Sequence, residues 1–201
     1  YEMVPVDTRK GDQHKPSFLA INPNGKTPAL EDGEVKLFDS NAILLYLAEK
    51  TGKFLPADTP QNRADLLSWL MFVATGIGPY SGQAVHFTHF APEKLPYAIN
   101  RYAREAERHW GLIDERLASR RYMVGDAYTI MDMAVWGWAT RAPFVLGAEA
   151  FGRLANVKRH LDEISARPAA QRAMALKDRF AFKTEVDEEA RYPHEAAAAL
   201  L

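Results

Sequence analysis

Asp39 and Ser40 stand where a short predicted strand meets a helix, and both side chains could hold a charged ligand there. Apolar residues recur at helical spacing over residues 40–50, which places the pair at the N-terminus of this helix. Asp and Ser are preferred N-caps, so capping accounts for part of their presence. The free N–H groups and the dipole of a helix N-terminus also attract anions. A ligand α-carboxylate could therefore bind Ser40 while Asp39 binds a neighbouring α-ammonium group.

A proline at the start of the preceding strand offers a second point of attachment. Thr27-Pro28 follows the turn at residues 22–25 and begins a predicted strand. A cis bond here would leave the backbone N–H and C=O of Thr27 outward and unpaired, where they could pair with an extended peptide. A trans proline at a strand start is the alternative, and the residues alone favour it, because only about 5–6% of X-Pro bonds are cis.

Three arginines lie on one side of the long helix predicted over residues 95–117, away from its apolar stripe. Arg101, Arg104 and Arg108 are spaced at i, i+3 and i+7. Taken alone they fit a solvated face that pairs with neighbouring glutamates, and each such ion pair stabilises a helix little. The spacing by itself therefore does not distinguish an exposed face from a site for an anionic ligand.

His86 and His89 form an i, i+3 pair that resembles part of a metal site. A zinc site needs three or four ligands, and the chain has no Cys and no acidic residue at a suitable spacing from this pair. We interpret the two histidines as lining a pocket or packing near Phe87 and Phe90. We predict no metal.

The elements that must position these residues fall into two halves, a small α/β part and then an all-α part. The first half is predicted to contain a strand over 2–6, a helical turn from Pro16, a hairpin with strands over 27–30 and 35–38, and a helix over 40–50. Two prolines and a glycine over residues 51–60 mark the boundary. Helices are predicted from Pro60 to a break at residues 76–79, and over 95–117, 130–140, 155–166 and 169–175, with Thr129 and Asp132 as the capping box of the 130–140 helix. The domain limits are thus 1–52, a linker over 53–59, and 60–201.

Composition excludes several classes of protein. The 201 residues carry 25 Lys and Arg against 26 Asp and Glu, and this net charge of −1 gives no basic excess for nucleic acid or an anionic membrane. The longest apolar stretches fall well short of the roughly 18 residues of a membrane span. The absence of Cys excludes disulfides and a cysteine nucleophile within this sequence and suits a cytoplasmic protein.

Three motifs together carry a resemblance that covers nearly the whole chain. FLAINPNGKTPAL over residues 18–30 and LFDSNAILLYL over 37–47 resemble the glutathione-binding half of the cytosolic glutathione transferases, and TIMD over 129–132 matches the capping box of that family. GDQHKPSFLAINPNGKTPAL, GIGP and HFAPEKLPYAINRY are most similar to the Nu class, whose bacterial members reduce disulfides with glutathione. The resemblance implies a thioredoxin-like α+β domain followed by an all-α helical bundle.

The resemblance also implies a glutathione site, and it favours a cis rather than a trans Thr27–Pro28 bond. Members of the family carry a cis-Pro at the position of Pro28, with the tripeptide extended along Thr27. Asp39 and Ser40 would hold the γ-glutamyl end, although the family often has Glu at the position of Asp39. The other residues implied to contact glutathione are Gln13 and Lys26 at its glycine end and Arg108 from the long helix.

The resemblance further implies that the opening strand and helix of the thioredoxin-like domain precede Tyr1. In that family the thiol-activating residue follows the first strand, and in the Nu class a Thr and an Asn serve. We therefore expect the natural protein to carry this segment and leave the catalytic residue unassigned within residues 1–201. A source protein with an intact mass of 22.6 kDa and full activity would contradict this expectation.

The implied function is a glutathione-dependent enzyme, either a disulfide reductase or a transferase that adds glutathione to electrophiles. Glutathione is then the co-substrate, no metal is needed, and the partners are a small disulfide or electrophile and a second copy of the chain. Phe54, in the boundary loop, is the candidate contact of that homodimer. The alternative is a transferase-fold binding or regulatory module without catalysis, which the missing first strand favours.

Overall fold

A computed structural model describes residues 1–187 and 190, and packing divides these residues into two compact units. The first unit contains residues 1–43 and the described residues from 172 onward, and the second contains residues 44–171. A small α/β part before an all-α part confirms the predicted fold class. The predicted domain limits, 1–52 and 60–201, follow the chain rather than this packing and stay a prediction.

The first unit is built around a two-stranded hairpin. Its elements are a 3₁₀ turn (Asp12–His14), α1 (Pro16–Leu19), β1 (Ala29–Asp32), β2 (Val35–Phe38) and a second 3₁₀ turn (Leu176–Arg179). β1 and β2 pair antiparallel, with Ala29 opposite Phe38 and Asp32 opposite Val35. Gly33 turns the chain with a φ of 63°, a conformation that glycine adopts without steric cost. This confirms the predicted hairpin.

The first strand of the hairpin begins two residues later than predicted. The tight turn fixes the register, so Pro28 would have to pair with Asp39. Asp39 has a φ of 71°, outside the β region, and Pro28 has no N–H to donate. The ladder therefore ends at Ala29.

Residues 2–6 form no strand, so the predicted strand at this position is wrong. In the described part of the chain the sheet contains β1 and β2 alone. An extended segment becomes a strand only when its N–H and C=O groups pair with a neighbour, and residues 2–6 have no such neighbour there.

The second unit is helical throughout. α2 (Ser40–Thr51) begins in the first unit, and its residues from Leu44 belong to the second. The further helices are α3 (Pro60–Phe72), α4 (Gly78–Val85), α5 (Pro96–Ala118), α6 (Ile130–Ala139), α7 (Ala142–Gly152), α8 (Ala155–Ser165) and α9 (Pro168–Ala175). α3, α5, α6, α8 and α9 confirm the predicted helices to within about two residues, whereas α4 and α7 were not predicted. None of the described helices is long and apolar enough to cross a membrane.

The predicted break at residues 76–79 is wrong, because the backbone stays helical through it. A π-helical turn (Val73–Ile77) joins α3 to α4, and Pro79 sits in the first turn of α4, where proline needs no donor. A Cβ added to Gly76 would lie 2.5 Å from Cδ2 of His109. The glycine therefore permits close packing against α5 rather than ending a helix.

The capping box of α6 sits at the centre of the helical core. Thr129 Oγ1 accepts from the Met131 N–H at 3.2 Å, and Asp132 Oδ2 accepts from the Thr129 N–H at 2.8 Å. The other carboxylate oxygen of Asp132 contacts Nε2 of His160 at 2.9 Å, with both side chains fully buried. This confirms the predicted capping box. The core around it includes Leu70, Val73, Trp110, Ile113, Leu117, Met123, Met131 and Val157.

Candidate functional site

The start of α2 is capped by Asp39. Its Oδ1 accepts from the N–H groups of Asn41 at 2.9 Å and Ala42 at 3.1 Å, and its carbonyl accepts from Ile43 at 3.0 Å. The φ of 71° is uncommon for a residue with a side chain, and such conformations concentrate at functional sites. The capping prediction for Asp39 is therefore confirmed.

Capping by Asp39 leaves specific groups open for a ligand. Among the described residues, no partner bonds the second carboxylate oxygen of Asp39 or the half-buried hydroxyl of Ser40. Asn41 and Ala42 have their N–H groups taken by the carboxylate. An anion at this terminus would therefore be held by the N–H and Oγ of Ser40, and a cation by Oδ2 of Asp39.

The loop before β1 is exposed at three consecutive residues. Lys26, Thr27 and Pro28 are all exposed, and the Thr27–Pro28 peptide bond is cis, as the family resemblance implies. Within the described chain, neither the N–H nor the C=O of Thr27 takes part in a backbone or side-chain hydrogen bond. Such groups can pair with an extended ligand in the manner of an added strand.

Asn22 holds this loop in place through hydrogen bonds. It was not identified from the sequence as a site residue. The side chain is almost fully buried; Nδ2 donates to the carbonyl of Lys26, and Oδ1 accepts from the N–H of Asn24 at 2.9 Å. Its own carbonyl accepts from Gly25 at 3.0 Å. Three hydrogen bonds from one residue thus set the path of the chain into Thr27. The Asn-Pro-Asn-Gly turn was the available signal, since Asn side chains commonly bond the backbone two residues on.

Gln13 is buried rather than solvated. It lies in the 3₁₀ turn, its Nε2 contacts Nε2 of His14 at 3.1 Å, and its Oε1 is a buried acceptor with no donor among the described residues. A Cβ added to Gly25 would lie 3.4 Å from the carbonyl oxygen of Gln13, so this turn and the loop before β1 approach closely. The structure therefore brings the surroundings of Gln13 and Lys26 together.

The segment that carries Gln13 is anchored by buried Asp7. The Asp7 carboxylate accepts from the N–H of Lys183 at 2.9 Å and from the N–H of Arg9 at 3.1 Å. The bond from Lys183 is the largest cause of a lowered pKa for Asp7, opposed in part by burial. Arg9 Nη1 in turn donates to the carbonyl of Lys183 at 2.7 Å. Residues near 183 are thus fastened to the loop that leads to Gln13.

Arg108 lies on α5 in the helical unit, and a glutamate one turn earlier on this helix holds its guanidinium. Nε and Nη2 of Arg108 both donate to Oε1 of Glu105, at 3.0 and 2.6 Å. Arg101 donates to the other oxygen of Glu105 at 3.1 Å. The hydrogen bond from Arg108 is the largest cause of a lowered pKa for Glu105. The Arg108 side chain is exposed, and its Nη1 has no partner among the described residues.

His109, the next residue, was also missed by sequence reasoning. Its ring is buried and stacked between Phe72 at 5.1 Å and Tyr80 at 4.8 Å between ring centroids. Nδ1 contacts the carbonyl of Glu105 at 2.7 Å, which requires that Nδ1 carry the hydrogen. The position follows the apolar stripe of α5, four residues before Ile113, and that spacing was the available signal.

His86 and His89 lie in a second π-helical turn (His86–Phe90) and pack with aromatic rings, as predicted. His86 lies edge-on to Phe87 with ring centroids 5.0 Å apart, and His89 stacks on Phe144 at 4.7 Å. Among residues 1–187 and 190, no group of three or more metal-ligating side chains occurs. The aromatic residues of this region contact one another through the Phe87–Tyr102 and Trp69–Phe72 pairs.

Two domain families match successive parts of the chain. Residues 1–49 match the glutathione S-transferase N-terminal domain, and residues 96–172 match the glutathione S-transferase C-terminal domain. Together they span both the hairpin and the long helix α5.

Named relatives include two proteins of Escherichia coli K12. The disulfide-bond oxidoreductase YfcG is 46% identical over 145 residues, 69% of this chain and 67% of the relative. The disulfide-bond oxidoreductase YghU is 41% identical over 172 residues, 81% of this chain. The chain spans 59% of the length of YghU.

Solved structures agree with the sequence matches. A glutathione transferase of Pseudomonas putida, with one glutathione disulfide bound per subunit, superposes with a TM-score of 0.79 at 35% identity, over 87% of this chain and 80% of the other. The transferase YghU of Streptococcus pneumoniae, complexed with glutathione, gives a TM-score of 0.75 at 38% identity, over 88% and 69%.

Proposed function

Because the chain belongs to the glutathione transferase family, we propose that it is a glutathione-dependent enzyme whose leading reaction is thiol–disulfide exchange. The likeness to the E. coli disulfide-bond oxidoreductase YfcG carries this proposal. The glutathione disulfide bound to the P. putida relative supports it. Transfer of glutathione to electrophilic carbon is the second activity. The comparisons support an enzyme rather than the inactive binding module.

The exchange uses the sulfur of glutathione, since the sequence has no Cys. A glutathione thiolate attacks one sulfur of the substrate disulfide, a new S–S bond forms, and the old one breaks. The leaving thiolate takes up a proton. A second glutathione thiolate then attacks the mixed disulfide, which releases glutathione disulfide and the second substrate thiol. Two glutathione molecules are oxidised for each disulfide reduced.

The first unit binds glutathione at its γ-glutamyl end and along the cysteinyl backbone. Ser40 holds the γ-glutamyl α-carboxylate through its N–H and Oγ, and Asp39 Oδ2 holds the α-ammonium. Thr27 pairs with the cysteinyl backbone through its N–H and C=O, beside Pro28. The support is that these groups have no other hydrogen-bond partner in the described chain. The contacts of Ser40 and Asp39 involve the charged groups of glutathione, and such charge-assisted hydrogen bonds are roughly twice as strong as neutral ones.

Three further residues complete the proposed binding set. Gln13 and Lys26 hold the glycine end, supported by the close approach of the 3₁₀ turn to Gly25. Arg108 supplies a guanidinium for a glutathione carboxylate, supported by its open Nη1. All of these residues bind and orient the substrate, and none of them activates the thiol.

We further propose that the protein is a cytoplasmic homodimer in which Phe54 contributes to the subunit contact. Phe54 is 47% exposed, has a φ of 62° and lies edge-on to Tyr128 at 5.9 Å. Its carbonyl accepts from the Ile130 N–H at 2.9 Å, which fixes the loop independently of the side chain. Light scattering of the full-length protein should give twice the chain mass, and F54A should shift it toward the monomer. A monomeric wild-type protein contradicts this part of the proposal.

A disulfide reductase assay on the full-length protein tests the main proposal. We expect glutathione-dependent reduction of 2-hydroxyethyl disulfide, followed as glutathione disulfide by NADPH and glutathione reductase. Chlorodinitrobenzene conjugation measures the second activity in parallel. Retention on glutathione resin without turnover of either substrate would instead establish the binding module. A protein that neither binds glutathione nor turns over would contradict both.

A further inference from the structure

Glu105 lies at the centre of a small charged cluster on α5. Its side chain is only 16% exposed, although the two arginines that it contacts, Arg101 and Arg108, are each more than half exposed. One carboxylate oxygen serves each arginine. The carboxylate is therefore the fixed part of the cluster, and the long cationic side chains are fastened to it.

The contact with Arg108 uses one particular edge of the guanidinium. Nε and Nη2 both donate to the same carboxylate oxygen, so the edge of the guanidinium formed by Nε and Nη2 is occupied. The Nη1 end faces away from Glu105, and a carboxylate can be recognised there by parallel N–H groups. Without Glu105 the side chain could rotate about its four χ angles and present this end in many directions.

The backbone beneath this contact is held by a second interaction. His109 Nδ1 donates to the carbonyl of Glu105, and its ring is clamped between Phe72 and Tyr80. Nη2 of Arg108 also lies 3.5 Å from Nε2 of His109. The turn of α5 that carries Glu105 and Arg108 is thus tied to the buried His109 ring, which stacks between two half-buried aromatic side chains.

We propose that Glu105 is a positioning residue that holds the Arg108 guanidinium with its Nη1 end presented to a glutathione carboxylate. This inference rests on the glutathione-binding role proposed for Arg108. Glu105 itself contacts no substrate. Its effect on binding passes entirely through Arg108.

The test compares glutathione KM and kcat for wild type, E105A, E105Q, R108A and E105A/R108A of the full-length protein. We expect E105A to raise the glutathione KM by roughly 3- to 10-fold, the cost of ordering one long side chain on binding, with kcat at saturating glutathione little changed. E105Q retains an acceptor oxygen at the same reach and should recover much of the loss. The double variant should have the same glutathione KM as R108A, because the effects of substitutions at two interacting residues are not additive.

Glu107 provides the matched control on the same helix. Its carboxylate also binds an arginine, Arg153, at 2.6 Å, but it does not contact Arg108. E107A should leave the glutathione KM unchanged.

Two outcomes overturn the inference and are distinguishable. If R108A raises KM while E105A and E105Q do not, or if the two losses simply add, Glu105 does not act through Arg108 and the proposed function stands. If R108A leaves KM unchanged, the role proposed for Arg108 is itself wrong, and the inference fails with it.

Discussion

Asn22 donates from its buried carboxamide to the carbonyl of Lys26, the residue that precedes the exposed Thr27. The same side chain accepts from the N–H of Asn24, so its two ends have separate partners. One internal side chain therefore sets the course of the loop that we propose to bind the glutathione backbone.

N22D should separate these two hydrogen bonds. Asp keeps the acceptor for Asn24 but cannot donate to Lys26, and two oxygens would then face each other. Losing the partner of a buried polar group costs about 1–3 kcal/mol, so the free energy of unfolding in urea should fall by about that amount. The glutathione dissociation constant should rise severalfold. N24A, at an exposed position whose backbone N–H is retained, should change neither the free energy of unfolding nor the dissociation constant. Equal effects from N22D and N24A would show that Asn22 gives the loop no specific support.

S40A should weaken glutathione binding without loosening the fold. Asp39, not Ser40, caps α2, so stability in urea should stay within about 0.5 kcal/mol of wild type. A hydrogen bond to a charged group is worth about 1.5–3 kcal/mol, which corresponds to a roughly 10- to 100-fold rise in the dissociation constant by calorimetry. S17A, at an exposed serine on α1, is the matched control. Unchanged affinity in S40A would remove the anchor assignment.

G76A and G82A should have opposite effects on stability. A Cβ at Gly76 would meet the His109 ring at 2.5 Å, whereas a Cβ at Gly82 meets nothing within 4 Å. Overpacking costs about 1–3 kcal/mol, and replacing an unstrained helical Gly by Ala gains about 0.5–1 kcal/mol. Urea denaturation of both variants measures this directly. If G76A is as stable as G82A, the close packing of α5 on the π-helical turn is not present in solution.

Asp7 should make stability depend on acid pH. Its pKa in the folded protein is lowered below the ordinary value of 3.8, chiefly by the Lys183 N–H. A carboxyl with a depressed folded pKa contributes stability that is present above the unfolded pKa and is lost as pH falls through the folded pKa. The urea midpoint of wild type should therefore fall as pH drops below about 4. D7N cannot titrate and should show a shallower fall, and parallel curves for the two proteins would contradict the assignment.

Local sequence alone determined much of the helical unit. The apolar stripe of α5 and the Thr129–Asp132 capping box depend on spacing within one segment, and both match the structure. The hairpin follows in the same way from the turn at Gly33. Helical periodicity, caps and tight turns are local properties, so they can be predicted from the sequence without knowledge of the tertiary structure.

Only the tertiary structure decided the features that depend on residues far apart in the chain. In sequence Gly76 resembles a helix break, because a glycine that ends a helix and one that admits a neighbouring side chain look alike. In the structure the His109 ring packs against it. Asp7 is anchored by Lys183, which lies 176 residues later. Asn22 and Glu105 are ordinary polar residues in sequence, and burial and the partners that they hold gave them positioning functions. The sequence thus determined most of the local elements and the family, whereas packing decided which polar side chains support the proposed site.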